Sequence, residues 1–147
     1  MLTGVFLGFV PRPGAAGFQL GNPCALALTA VRASLEVFAK TTMSDLRQKS
    51  LKLSNYLEEL LDVQGGMKYQ ILTPMSPAER GAQLSLRVHP ESMEAILAHL
   101  AKKGVVVDER KPDVIRVAPT PLYNTFVDVY RFVKIFREAC LDAQPLS

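Results

Sequence analysis

Val114-Ile115-Arg116-Val117-Ala118-Pro119-Thr120-Pro121-Leu122-Tyr123-Asn124 is the stretch that decides the fold. Its first half alternates with the period of a strand, so Ile115 and Val117 share one face while Val114, Arg116 and Ala118 share the other. Pro119 and Pro121 each fix φ and remove a backbone donor, which ends the strand at once and stiffens the chain that follows. Arg116 is the residue to explain. A guanidinium inside an apolar strand is costly to desolvate unless an anion meets it, and its planar fork suits a carboxylate or phosphate through two hydrogen bonds. Two readings stay open: an edge-strand arginine reaching to solvent, or a clamp for a ligand carboxylate.

The surrounding sequence places this strand in a small sheet. Val105-Val106-Val107 reads as a strand, joined to Val114–Ala118 by a charged turn at Asp108 to Asp113. Tyr69-Gln70-Ile71-Leu72 and Gln83-Leu84-Ser85-Leu86-Arg87-Val88 are two more, the second alternating cleanly and so covered on one face only. Between those two, residues 73 to 81 form a loop dense in turn formers, and Arg80 there reads as an ordinary exposed loop arginine pairing locally with Glu79 or an Asp-type partner in the small domain, with ligand binding as the alternative. Pro90 opens a short helix with Met93, Ile96, Leu97 and Leu100 inward, closed by Lys102, Lys103 and Gly104. Thr125 and Asp128 spell a capping box for a last helix, whose apolar stripe is Val129, Phe132, Val133, Phe136 and Cys140.

Two helices precede the strands. Asn22-Pro23 reads as N-cap and first helical residue, followed by a buried stripe at Leu28, Val31, Leu35 and Phe38. Thr42 and Asp45 resemble a second capping box, with Leu46, Leu53, Leu57 and Leu60 inward and Gly65-Gly66 as the terminator. The first ten residues are apolar but broken by Gly4 and Gly8, with neither a signal peptide's basic start nor the length to span a bilayer. Pro11 to Gly17 is a turn-rich connector.

Composition narrows the class. A chain of 147 residues that is 48% hydrophobic and 21% charged has enough apolar side chain for one core and is not disordered. Its net charge of +3 is scattered over interrupted helix faces, so no nucleic-acid footprint is expected despite a pI of 9.0. Cys24 and Cys140 are far apart, and neither they nor His89 and His99 show metal-ligand spacing. Reduced thiols in a cytoplasmic compartment, with no metal and no membrane partner, are the simplest expectation. Helices, two strands, a helix, two strands and a helix give an α+β arrangement with a small, mostly antiparallel sheet and helices on one face.

The order of several segments is more specific than any one of them. Gly104 to Arg110, Pro112 to Pro119, Pro121 to Phe126 and Asp128-Val129-Tyr130 resemble the C-terminal end of kynureninase. Upstream, Gly17-Phe18, Asn22-Pro23, Ile71 to Pro74 and Glu79 to Leu84 fall in the same order. The resemblance implies the C-terminal small domain of a type I, aspartate aminotransferase-like, pyridoxal-phosphate (PLP) enzyme fold. Residues 1–17 are then an unmatched segment and connector, 18–64 helices linking a large domain to the small one, and 65–147 the small domain.

The resemblance further implies PLP-dependent hydrolysis of L-kynurenine or 3-hydroxy-L-kynurenine to anthranilate or 3-hydroxyanthranilate and L-alanine, in tryptophan catabolism and NAD biosynthesis, by a homodimer. It makes Arg116 the ligand of the substrate α-carboxylate. It also sets Asn22 near the neighbouring subunit's active site, touching cofactor phosphate and substrate ring hydroxyl. Gly21 and Cys24 depart from the serine and proline of the animal enzymes, which bears on ring-substituent preference. None of the lysines sits in the family's Schiff-base motif, and Gly65-Gly66 lacks the spacing of a phosphate loop. The chain therefore reads as a fragment that is inactive alone. The alternative is a non-catalytic truncated subunit or a small-ligand module that kept its carboxylate site.

Overall fold

The structure is a computed structural model and describes residues 10–62 and 69–143. The expectations for residues 1–9 and for Gly65-Gly66 lie outside the described residues. Contacts divide the chain into two compact units, Met1–Thr41 and Thr42–Ser147.

In the first unit, a 3-10 turn at Gly14–Phe18 occupies the expected connector, with Gly14 at φ +69, a conformation that favours glycine. Helix α1 spans Ala25–Phe38. Two expectations are corrected here. The N-cap is Cys24, with no side-chain cap; Asn22 lies two residues earlier, too far back to reach the amides of the first turn. The stripe of Leu28, Val31, Leu35 and Phe38 is exposed rather than buried. Its helical period is real, but periodicity reports what a helix can bury against a partner, and α1 has no buried residue.

The second unit is built on a four-stranded antiparallel sheet of order β1-β2-β4-β3, in which β1 is Tyr69–Ile71, β2 Leu84–Val88, β3 Asp108–Arg110 and β4 Val114–Val117. Leu84, Leu86, Val88, Ile115 and Val117 point to one face and are buried. Helices α2 (Met43–Asp62), α3 (Met93–Lys102) and α4 (Phe126–Asp142) share that core through Leu53, Leu57, Leu61, Ile96, Leu100, Val133 and Phe136. On α2 the buried position is Leu61, and Leu60 is only half-buried. Phe132 and Phe136 stack at 5.5 Å, and Tyr69 packs on Phe136 with its hydroxyl donating to the Leu61 carbonyl at 2.7 Å. Burial pushes the Tyr69 phenol up to about 12.

The helix ends follow the sequence closely. Thr125 accepts from the Asp128 amide while the Asp128 carboxylate accepts from the Thr125 amide at 2.8 Å, a complete capping box. Thr42 and Asp45 pair at the start of α2, with the Asp45 amide donating to the Thr42 hydroxyl at 3.1 Å. Gly104, at φ +74, terminates α3, and the Val105 amide closes back on the Leu100 carbonyl at 2.9 Å.

That closure overturns the strand expected at Val105–Val107. Val105 and Val107 are half-buried against the core and Val106 is 96% exposed, but ladder pairing begins only at Asp108, in the stretch expected as a turn. β-Branched composition reports a fit to a packed surface, not a ladder partner. Among the described residues, no helix is long and apolar enough to cross a membrane.

Candidate functional site

The face of the sheet turned away from the helices is where Arg116 lies. By register it carries Ser85 and Arg87 from β2, Val114 and Arg116 from β4, and Asp108 and Arg110 from β3. Ser85 and Asp108 flank Arg116 directly, one on each neighbouring strand. The alternation of β4 dictates this: Ile115 and Val117 are drawn into the core, so Arg116 must point the other way.

Its side chain is one-third exposed. The anion that meets it comes from this chain, because Arg116 Nη2 donates to Asp108 Oδ2. Asp108 Oδ1 in turn accepts from Arg110 Nη1 at 2.7 Å, so one carboxylate sits between two guanidinium groups. The hydrogen bond from Arg116, with the charge of Arg110, holds the Asp108 carboxyl below the ordinary carboxylate range. Arg116 Nε is buried and has no partner among the described residues, so it is a donor unused beside the engaged one. Arg87 Nε pairs with Asp113 at 3.3 Å. Three arginines against two aspartates leave this face a net cation, suited to an anionic ligand.

The bend after β4 is as stiff as the two prolines imply. The Asn124 side chain accepts from the Thr120 amide at 2.7 Å, and the Asn124 amide donates to the Thr120 carbonyl at 2.8 Å. Lys49 Nζ reaches across from α2 to the Pro121 carbonyl at 2.6 Å. A cavity of about 350 Å³ lies near this bend, bounded by Lys103, Val107, Pro119, Asn124, Arg131 and Phe132; Arg116 is not part of its wall.

Asn22 is exposed, within the first unit. Each of the two expected ligand-binding residues is thus described within its own unit. Lys40, Lys49, Lys52, Lys102, Lys103, Lys111 and Lys134 are all exposed.

Two features escaped the sequence reading. Arg80, expected as an exposed loop residue, has a side chain only 1% exposed and donates to Glu58 Oε2 at 2.5 Å and Asn55 Oδ1 at 2.8 Å, both on α2. The partners are 22 and 25 residues away, so no local pattern announces them. His99 faces Asp142 at 3.4 Å and Glu138 at 4.0 Å across α3 and α4, again through tertiary packing.

Comparison with known proteins follows the same line. The family model described as the kynureninase C-terminal domain matches residues 46–136. The chain is 60% identical to Kynureninase 1 of Phaeosphaeria nodorum over 137 residues, covering 92% of this chain and 27% of that protein. It is 57% identical to Kynureninase 1 of Aspergillus oryzae and 55% to Kynureninase of Coccidioides immitis, again over 92% of this chain and covering 29% and 30% of theirs. The chain thus spans just over a quarter of the length of these curated relatives. Among solved structures, a NifS-like protein from Rickettsia africae superposes with a TM-score of 0.57 at 18% identity, over 66% of this chain and 29% of that one. A second NifS-like protein gives 0.53 at 22% identity, over 65% and 28%. In fold class, the antiparallel sheet with its helices agrees with the small α+β domain fold that the resemblance implied. The arginine-bearing sheet, α3 and most of α2 and α4 lie within the matched residues, and the chain belongs to the kynureninase C-terminal domain family.

Proposed function

We propose that this chain is the C-terminal portion of a PLP-dependent kynureninase, hydrolysing L-kynurenine or 3-hydroxy-L-kynurenine, and that Arg116 binds the substrate α-carboxylate. The observation that carries the assignment is the state of Arg116 on the open face of the sheet. Its fork is already bound to a carboxylate at Nη2, while one-third of the side chain remains exposed. A ligand carboxylate at that exposed part of the guanidinium would find a charge-assisted hydrogen bond in a partly desolvated place. The role is orientation: anchoring the amino-acid end of the substrate holds its reacting carbon in a fixed relation to the cofactor.

The seven described lysines do not fit the anchoring of PLP. A Schiff-base lysine is activated by a desolvated pocket or a cationic neighbour, and all seven are exposed residues. We therefore assign no step to them and place the anchoring lysine in the part of the enzyme outside this chain, which alone is expected to be inactive. Asn22, by resemblance, contacts cofactor phosphate and substrate ring across a homodimer; its exposure, with no capping duty to perform, supports that role. A cytoplasmic location goes with this reading.

The test is a full-length enzyme in which this chain replaces the matching C-terminal portion of the Phaeosphaeria nodorum relative. Release of anthranilate from L-kynurenine, strongly slowed by Arg116→Ala and weakened by Asn22→Ala, is the expected result. A fully active chimera with Arg116→Ala would overturn the assignment of Arg116.

A further inference from the structure

Asp108 stands opposite Arg116 in the β3–β4 register, and three observations fix their relation. Cross-strand neighbours on one face of an antiparallel pair are in direct side-chain contact, so the pairing follows from the register and not from a chance rotamer. The carboxylate is itself held from the other side, since Arg110 Nη1 donates both to Asp108 Oδ1 at 2.7 Å and to the Glu109 carbonyl at 2.8 Å. Arg116 engages Asp108 through Nη2 alone, and one-third of its side chain remains exposed.

A long, free arginine would sample many rotamers and would lose that freedom when it grips a ligand. An arginine tethered at one nitrogen has already lost it, and its remaining donors point in a fixed direction. We infer that Asp108 is a positioning residue: it does not touch the substrate, but holds the Arg116 guanidinium at Nη2 so that the exposed part of the fork is presented to an amino acid's α-carboxylate. This rests on the reading of Arg116 given above and adds a residue that acts only through it.

The pairing has a rival interpretation, in which Asp108 occupies the clamp and must be displaced by substrate. Arg110 argues against it, because the Asp108 carboxylate also accepts from Arg110 through its other oxygen, so displacing it would break two ion pairs.

The experiment uses the full-length chimera carrying Asp108→Ala, Asp108→Asn or Arg116→Ala, and measures KM for L-kynurenine together with inhibition by each product separately. L-Alanine carries the α-carboxylate; anthranilate does not carry that group. Asp108→Ala is expected to raise KM for L-kynurenine and the inhibition constant of L-alanine about tenfold, and to leave the inhibition constant of anthranilate unchanged. Asp108→Asn keeps an acceptor without the charge and is expected to give about a threefold change in the same two constants. Arg116→Ala is expected to exceed both.

Unchanged constants for both Asp108 variants with a large loss in Arg116→Ala would overturn the positioning role while leaving the Arg116 reading intact. Tighter L-alanine binding in Asp108→Ala would overturn it in favour of the competitor. An equal loss for anthranilate would mean general damage to the site, also contradicting it. No effect from any of the three variants would remove the Arg116 reading and this inference together.

Discussion

Replacing Arg80 by methionine isolates the polar pairing inside this small domain. Methionine approximates the arginine stem and fills most of its space, so the packing loss is small and the change is chiefly electrostatic. What remains is a Glu58 side chain only 12% exposed, with Oε1 already lacking a partner and Oε2 now losing its own, while Asn55 Oδ1 loses a donor. Breaking a buried ion pair by removing one member costs about 3–5 kcal/mol, because the other charge is left desolvated. A domain of this size is stable by only about 5–15 kcal/mol, so the variant is expected to lose about a fifth or more of its stability. Removing both charges with Arg80→Met and Glu58→Leu is expected to recover most of that loss, since an apolar pair of similar volume is about as stable as the ion pair it replaces. Urea unfolding followed by circular dichroism reads the unaltered protein, Arg80→Met, Glu58→Leu and the double variant at a common m-value. If Arg80→Met shifts stability by less than about 1 kcal/mol, or if the double variant loses the sum of the two single losses, the buried-pair reasoning is wrong.

Other outcomes follow from the same structure. Phe136→Ala removes a fully buried ring that packs on Phe132 and Tyr69, and is expected to cost about 3–5 kcal/mol in the same unfolding assay. Burial raises the Cys140 thiol to about 11, so at neutral pH it stays protonated and iodoacetamide is expected to label exposed Cys24 first, reaching Cys140 only when denaturant is added; mass spectrometry of partly labelled protein decides this. The backbone hydrogen bond from Thr125, then that of its side chain, holds the Asp128 carboxyl below its ordinary value of 3.8. A depressed folded value means its contribution is present above pH 3.8 and is lost as pH falls through the lower folded value, so Asp128→Asn is expected to flatten the acid limb of stability below about pH 4.

How much of this was legible in the sequence depends on the range over which each signal acts. Thr125 with Asp128, Thr42 with Asp45 and the Gly104 terminator were readable because capping is decided within four residues. The faces of β2 and β4 were readable because alternation is local and one face is covered. Val105–Val107 misled because a run of valines is equally at home packed on a core without a ladder, and the true edge strand, Asp108–Arg110, is wholly charged and exposed. Asn22 misled because the residues around a helix start do not fix which of them is the cap. The pairings of Arg80 with Glu58 and of His99 with Asp142 had no local signature at all. At the candidate site, alternation alone showed that Arg116 leaves the core. That Asp108 meets it required the register of a strand the sequence disguised as a turn.

The most direct measurement of the central claim is kcat/KM for L-kynurenine in the full-length chimera with Arg116 intact, Arg116→Lys and Arg116→Ala. Truncating one partner of a hydrogen-bonded charge pair costs about 2–5 kcal/mol, so Arg116→Ala is expected to lower kcat/KM at least about thirtyfold. Arg116→Lys keeps the charge but not the fork and is expected to fall between the two. Values equal to those of the unaltered chimera in both variants would contradict a carboxylate clamp at this position.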